Sequence, residues 1–346
     1  MASAPTVKHL LEAVALEVDG AKHPVLEVIS ARKAAGTLPG QHGDGHIVAL
    51  SVEGGGMRAA VSGGMVVALE QMGFSDAFDR IYGASGGLFN AAYFMAKQAN
   101  YGSSIYADNL TNKQFVDFGR LPKSLFGGPP VVDVDYAIDQ VMSGERVVDW
   151  DAVIGSPIDL HPVAASLDQW CAVDLGRPQS VEQLRAQLKA SSRVMVFGGP
   201  PYEIDGARYY DASLFMGIPY NLPLEDGATH VLALLTRPTG NVRRGQTLLE
   251  RTLFAQVLRR IDARLPQAMK DRIEIYRSTV ARLEEATRAP GAKPPFAYAV
   301  QPSGPELSQL ARDPQIVRSA AIAGMRAVYE LAGVAPQFVP VLLPYG

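Results

Sequence analysis

One cysteine in 346 residues, Cys171, leaves no partner for a disulfide and too few thiols for a structural zinc site, which points to a reducing compartment. Charge of either sign is equally short of excess. Lys and Arg number 32 against 35 Asp and Glu, a formal net charge of −3. A chain this close to neutral has no electrostatic footprint for a polyanion, so no nucleic-acid partner is expected. Nowhere does the sequence hold the roughly 18–20 consecutive apolar residues that span a bilayer. The first thirty residues carry an amphipathic stretch broken by Glu12, Glu17 and Asp19, without the basic start and apolar core of a secretory signal. A cytoplasmic location is the expectation, with peripheral membrane contact left open. What is present is ordinary for a globular chain: 47% hydrophobic and 19% charged residues, with no internal repeat. The length suits one large domain or two ordinary ones.

Turn-forming residues 37–46 (TLPGQHGDGH) close a helical N-terminal extension, residues 1–45. A β-rich run, IVALSV (47–52), then stops at Gly54, Gly55 and Gly56. Met57, Val61, Met65, Leu69 and Met72 follow at helical spacing. The pattern repeats: Arg80-Ile81-Tyr82 reads as a strand, GASGG (83–87) as a turn, and 88–98 as a helix. Strands alternating with helices predict an α/β fold in three layers, a mostly parallel central sheet flanked by helices. Further on, 160–175 reads as a hairpin turning near Asp168, 180–190 as a helix, and Asp205-Gly206 as a two-residue hairpin turn. HVLALLT (230–236) is a buried strand. Beyond it the chain turns mainly helical, with one strand at 296–300 and a last helix at 314–333. The expected division is thus an extension (1–45), an α/β core (46–236) and a helical C-terminal region packed on that core (237–346).

The chemistry gathers at the two glycine turns. Gly83-Ala84-Ser85-Gly86-Gly87 fits G-x-S-x-G between a strand and a helix. There a serine on a sharp turn is exposed at the sheet edge, and its neighbours must lack side chains. Glu53-Gly54-Gly55-Gly56-Met57-Arg58 sits at the other strand-to-helix turn, where consecutive glycines let backbone N–H groups converge on a negative charge. Gly54-x-Gly56-x-x-Ala59 also resembles a dinucleotide fingerprint. That motif requires an acidic residue at the end of the second strand, where this chain has the serine, so the oxyanion-hole reading is preferred. Arg58 either orients the glycine loop or lies on a helix surface.

A neutral hydroxyl needs a base. His230 is the histidine that matches a Ser…Asp…His order, but it begins an apolar strand and reads as structural. Asp211, at the end of Tyr209-Tyr210-Asp211, either caps a turn or serves Ser85 directly as the base of a two-residue dyad. Other residues read as structural. Cys171 is expected in the core, and Asp133 and Asp135 are expected to cap a following helix rather than bind metal. The basic stretch 243–277 reads as a solvated face. The loop 119–131 (GRLPKSLFGGPPV), with its apolar residues and glycines, is a candidate lid over Ser85. No cofactor and no metal are expected.

In order and spacing, EGGGMR (53–58), GASGG (83–87) and IDGARYYDAS (204–213) resemble the three signature blocks of patatin-like phospholipases, a likeness that covers about residues 47–236. The resemblance implies a serine acyl hydrolase acting on acyl esters or phospholipids. Ser85 would be the nucleophile, Asp211 its dyad partner, and Gly54, Gly55, Gly56 and Met57 the oxyanion donors. Arg58 would support the loop, and Gly83, Gly86 and Gly87 would shape the elbow. The same dyad would also suit an acyltransferase, and the same fold a non-catalytic lipid-binding module. Two departures concern small residues: Ala59 where many relatives have glycine, and Gly87 where alanine is common. The third is Ala212-Ser213 in place of glycine after the aspartate. If that position needs positive φ, the alanine is strained by roughly 1–2 kcal/mol.

Overall fold

The computed structural model describes residues 15–16, 23–125, 127–240 and 248–334, with backbone alone over 248–253. The amphipathic stretch around Glu12, Glu17 and Asp19, and the basic residues Arg243 and Arg244, lie outside the described residues.

The run at 47–52 forms β1 (Val48–Val52), buried at every position and central in the sheet. It lies parallel to β2 (Arg80–Ala84), with Val52 opposite Gly83. On its other side runs β7 (His230–Leu234), with Val48 opposite His230 and Val52 opposite Leu234. β3 (Asp159–Ser166) extends the parallel set beyond β2, and β8 (Phe296–Val300) extends it beyond β7. Such strands are apolar throughout because helices cover both faces. β4 (Cys171–Asp174) and β6 (Ala207–Asp211) run antiparallel to β3, and β5 (Tyr202–Ile204) antiparallel to β6, giving eight strands in one mixed sheet. The β5–β6 turn is the expected Asp205-Gly206, with φ of 50° and 80° as a tight hairpin requires.

Alternation along β1 divides the interior into two layers. Val48, Leu50 and Val52 enter one cluster with α1 (Pro24–Ala35), α2 (Ala60–Gln71) and α3 (Gly86–Met95), while Ala49 faces the other. α4 (Val181–Ser192) packs against β3 and β6, and α5 (Leu248–Ile261) leads into α6 (Leu265–Arg288). Tyr276 and Leu283 of α6 join the second layer. α7 (Pro314–Leu331) crosses α2 backbone to backbone. A Cβ on Gly64 would stand 1.9 Å from the Ala321 carbonyl, and one on Gly324 1.9 Å from that of Val61. Either substitution would force the helices apart. No described helix is long and apolar enough to cross a membrane.

Two side expectations resolve here. Asp133 does cap the helix that follows, its carboxylate accepting from the Tyr136 N–H at 2.9 Å, and Asp135 pairs with Arg193 and Lys189. Cys171 is exposed rather than buried. β4 pairs only with β3, so an apolar pattern there does not mean two covered faces.

Candidate active site

Ser85 stands between the last residue of β2 and the first turn of α3, at φ 54° and ψ −132°. A non-glycine residue held there costs on the order of 1–3 kcal/mol, a strain that persists only where the surroundings enforce it. They do so from several sides. The Ser85 N–H donates to Ser191 Oγ at 2.9 Å, and the Ser191 hydroxyl donates to the Val163 carbonyl at 2.6 Å. The Tyr106 hydroxyl donates to the Gly86 carbonyl at 2.8 Å. A Cβ at Gly83 would meet Leu88 Cα at 2.7 Å, and one at Gly87 would meet the Val52 carbonyl at 2.2 Å, which explains the elbow's composition.

The glycine loop lies against this elbow. A Cβ on Gly54 would stand 2.3 Å from the Ala84 carbonyl and 2.7 Å from Ser85 Cβ, so the loop approaches the serine only because that residue has no side chain. Gly55, at φ 131°, turns the chain beneath the Arg58 guanidinium. Arg58 is a buried strut rather than a helix-surface residue. Its Nε donates to Thr236 Oγ1 at 3.0 Å, and that hydroxyl donates to the Gly54 carbonyl at 3.1 Å. Its Nη1 reaches Glu306 at 3.2 Å, and Glu306 also pairs with Arg237. Burial and the nearby Arg237 cation pull the Arg58 pKa down, and Glu53 and Glu306 oppose the shift. Glu53 itself accepts from the Thr236 N–H at 2.6 Å. Among the described residues the N–H groups of Gly54, Gly55 and Gly56 meet no acceptor. Met57 differs from expectation: its N–H donates to the Gln309 carbonyl at 3.0 Å and is not free for an oxyanion.

Asp211 reaches the same place by strand pairing. On β3, β2 occupies the edge up to Val163, opposite Ala84, while β6 is paired from Ala164, opposite Asp211. Because β4 already pairs with Val163 through Ser166 on the other edge, β2 and β6 meet end to end on one edge. Their last residues, Ala84 and Asp211, face consecutive residues of β3. Asp211 also caps a 3-10 turn (Ala212–Leu214), its carboxylate accepting from the Ser213 N–H at 2.9 Å, so the turn-capping reading holds. Ala212 is not among the residues with positive φ, and the strain expected of an alanine there does not arise. Facing that turn from α6, Arg272 is pulled down to about 10 by burial, with the Asp211 charge opposing the shift.

Ser85, Asp211, Gly54 and Gly55 together line a narrow cleft, closed by Arg237, Tyr276 and Gln309 from the C-terminal third of the chain. Such an arrangement can bring a hydroxyl, a carboxylate and free N–H groups onto one carbonyl. His230 takes no part. It lies level with Val48 at the opposite end of β7, beside Thr229 Oγ1 at 2.8 Å, and burial lowers its pKa to about 4. No described residue of 119–131 lines the cleft. The backbone of that loop is instead tied down beside Asp117, and Val132 is bonded to Phe197. Among the described residues one group, His161, Asp174 and Asp226, has the spacing to hold a metal ion. His161 bonds Asp174, Asp226 accepts from the Tyr82 hydroxyl, and none of the three lines the cleft. Thr236, Arg237, Tyr276, Glu306, Gln309 and Ser191 were not singled out from the sequence, since each is far from the motif it supports.

Among solved structures, the chain is similar to VipD from Legionella pneumophila at 12% identity and a TM-score of 0.45. The likeness covers 83% of this chain and 66% of VipD, a little under two thirds of that protein's length. No curated protein matches. The family model described as patatin-like phospholipase matches residues 50–224, which takes in the glycine loop, the serine elbow and Asp211. With half of its length matched, the chain belongs to the patatin-like phospholipase family.

Proposed function

We propose that this chain is a lipid acyl hydrolase that works through a Ser85–Asp211 dyad. Ser85 Oγ attacks the ester carbonyl while its proton passes to Asp211, and the N–H groups of Gly54, Gly55 and Gly56 receive the developing oxyanion. The acyl-enzyme is then hydrolysed by water that Asp211 activates. The reading rests above all on one observation: β2 and β6, far apart in sequence, end on adjoining residues of β3 and bring Ser85 and Asp211 into one cleft. Arg58, locked between Thr236 and Glu306, supports the loop.

A serine-directed fluorophosphonate tests the assignment. The wild-type protein is expected to take up the label and to turn over short-chain esters, and Ser85→Ala to lose both. Asp211→Asn should lower kcat by roughly three to four orders of magnitude while the fold is kept. His230→Asn should leave turnover intact. Undiminished labelling of Ser85→Ala would overturn the proposal. Lipid binding without label or turnover in the wild type would point to a binding module, and acyl transfer to an added alcohol in preference to water would point to a transferase.

A further inference from the structure

Tyr276 lines the Ser85–Asp211 cleft from α6, well beyond the residues that the family model matches. Tyr276 is 5% exposed, and its buried hydroxyl has no partner at full hydrogen-bond distance, the Glu53 carboxylate being close enough for at most a long, weak contact. A buried donor with nothing to bond costs about 1–3 kcal/mol, so an orphan of this kind calls for a reason. The ring is held firmly. The Arg237 guanidinium stacks on it at 5.1 Å, and on another side Gly217 leaves just enough room, since a Cβ there would stand 3.2 Å from the ring. The narrow cleft at Ser85 and a second cavity of about 520 Å³ share Tyr276 and Arg237 as their common wall. Pro238, Val280 and Ala281 give the second cavity an apolar side suited to part of an ester too large for the cleft, and Arg277, Glu284 and Gln301 give it a polar one.

We infer that Tyr276 is a further catalytic residue, whose hydroxyl donates a hydrogen bond to the leaving oxygen of the ester as the alcohol departs into the second cavity. The inference rests on the hydrolase reading. In the acylation step the Ser85 Oγ–carbon bond forms as the serine proton moves to Asp211. The ester carbon–oxygen bond then breaks, and the proton on Asp211 passes to the departing alkoxide. Tyr276 stabilises the charge on that oxygen and keeps its own proton. Burial, with the Glu53 carboxylate nearby, pushes the phenol well above the ordinary tyrosine range, so it stays a donor at any working pH.

The test compares two esters of one acid: a p-nitrophenyl ester, whose leaving group is stable as an anion, and an alkyl ester, whose leaving group is not. Tyr276→Phe is expected to lower kcat/KM on the alkyl ester by about 10–100-fold, with a far smaller fall on the p-nitrophenyl ester and with Ser85 still labelled by fluorophosphonate. Gly217 also lines the cleft, but a Cβ there would meet only the Tyr276 ring, so Gly217→Ala should show the same discrimination more weakly. Equal losses on both esters, or none on either, would overturn the role of Tyr276 and leave the dyad standing. A wild type that neither labels nor turns over would instead overturn the hydrolase reading on which this inference depends.

Discussion

At the amino end of the central sheet, Arg32 of α1 spends all five of its N–H donors. Asp44 takes Nε and Nη2 at 2.8 and 3.0 Å, Asp79 and the Ala77 carbonyl take Nη1 at 2.8 and 2.9 Å, and the His46 carbonyl takes Nη2 at 2.9 Å. Asp79 in turn receives the Val48 N–H at the start of β1. At the carboxyl end the opposite holds. The N–H groups of Gly54, Gly55 and Gly56, the Tyr276 hydroxyl and the Nε of both Arg237 and Arg272 have no acceptor at full hydrogen-bond distance among the described residues, and Ser85 is strained. Arg32 and Ser85 are both buried, so the exposure of the central residue does not explain the contrast. One end uses every donor of Arg32 and holds the strands in register, and His42 Nε2, 3.7 Å from Asp79, is a buried atom there that lacks a hydrogen bond. The other keeps donors in reserve, and the saturated network behind it makes that cost bearable.

Substitutions can break the contrast at either end. The largest effect is expected at the closed end. Arg32→Ala leaves Asp44 and Asp79 without their buried counter-charge and should destabilise the fold by about 3–5 kcal/mol in urea unfolding. The molecules that remain folded should label at Ser85 at the normal rate. Gly54→Ala does the reverse. Its Cβ collides with the Ala84 carbonyl and Ser85 Cβ, displacing the loop, and esterase activity should fall by roughly 10²–10³-fold with stability much less affected. The smallest effect is a pH dependence at the closed end. The folded-state pKa of His230, about 4, lies below the ordinary 6.5. Between those values the unfolded chain binds a proton that the native chain refuses, so stability falls as pH drops through that window, by at most about 3 kcal/mol. His23 and His42 are lowered in the same sense, again chiefly by burial. Urea unfolding at several pH values should therefore show a reduced, not abolished, slope in His230→Asn.

How much of this could be read from the sequence follows from how local each feature is. The serine elbow and glycine loop are each contiguous, and their glycines are dictated by steric contacts within a few residues, so they stood out. The Asp205-Gly206 turn stood out for the same reason. Met57 was misjudged because the acceptor of its N–H, Gln309, lies at the far end of the chain and no local pattern announces it. The strain assigned to Ala212 assumed a backbone borrowed from relatives. Here Asp211 caps a right-handed turn, and alanine fits. The buried reading of Cys171 failed because an apolar strand pattern does not report whether a strand has neighbours on both sides. The place of 119–131 could not be read from the sequence, because composition gives no direction in space. Arg58 could be read either way until Thr236 and Glu306 were seen to hold it.

The crossing of α2 and α7 through Gly64 and Gly324 also orders events in time. α2 begins where the glycine loop ends, and α7 is synthesised well after it, shortly after Glu306 and Gln309. A nascent chain therefore has the serine, the aspartate and all eight strands before it has the partners that fix the loop between them. The contacts that fix the loop beside Ser85 thus come from residues made after both the serine and Asp211, and the loop can set only once they have folded back onto it.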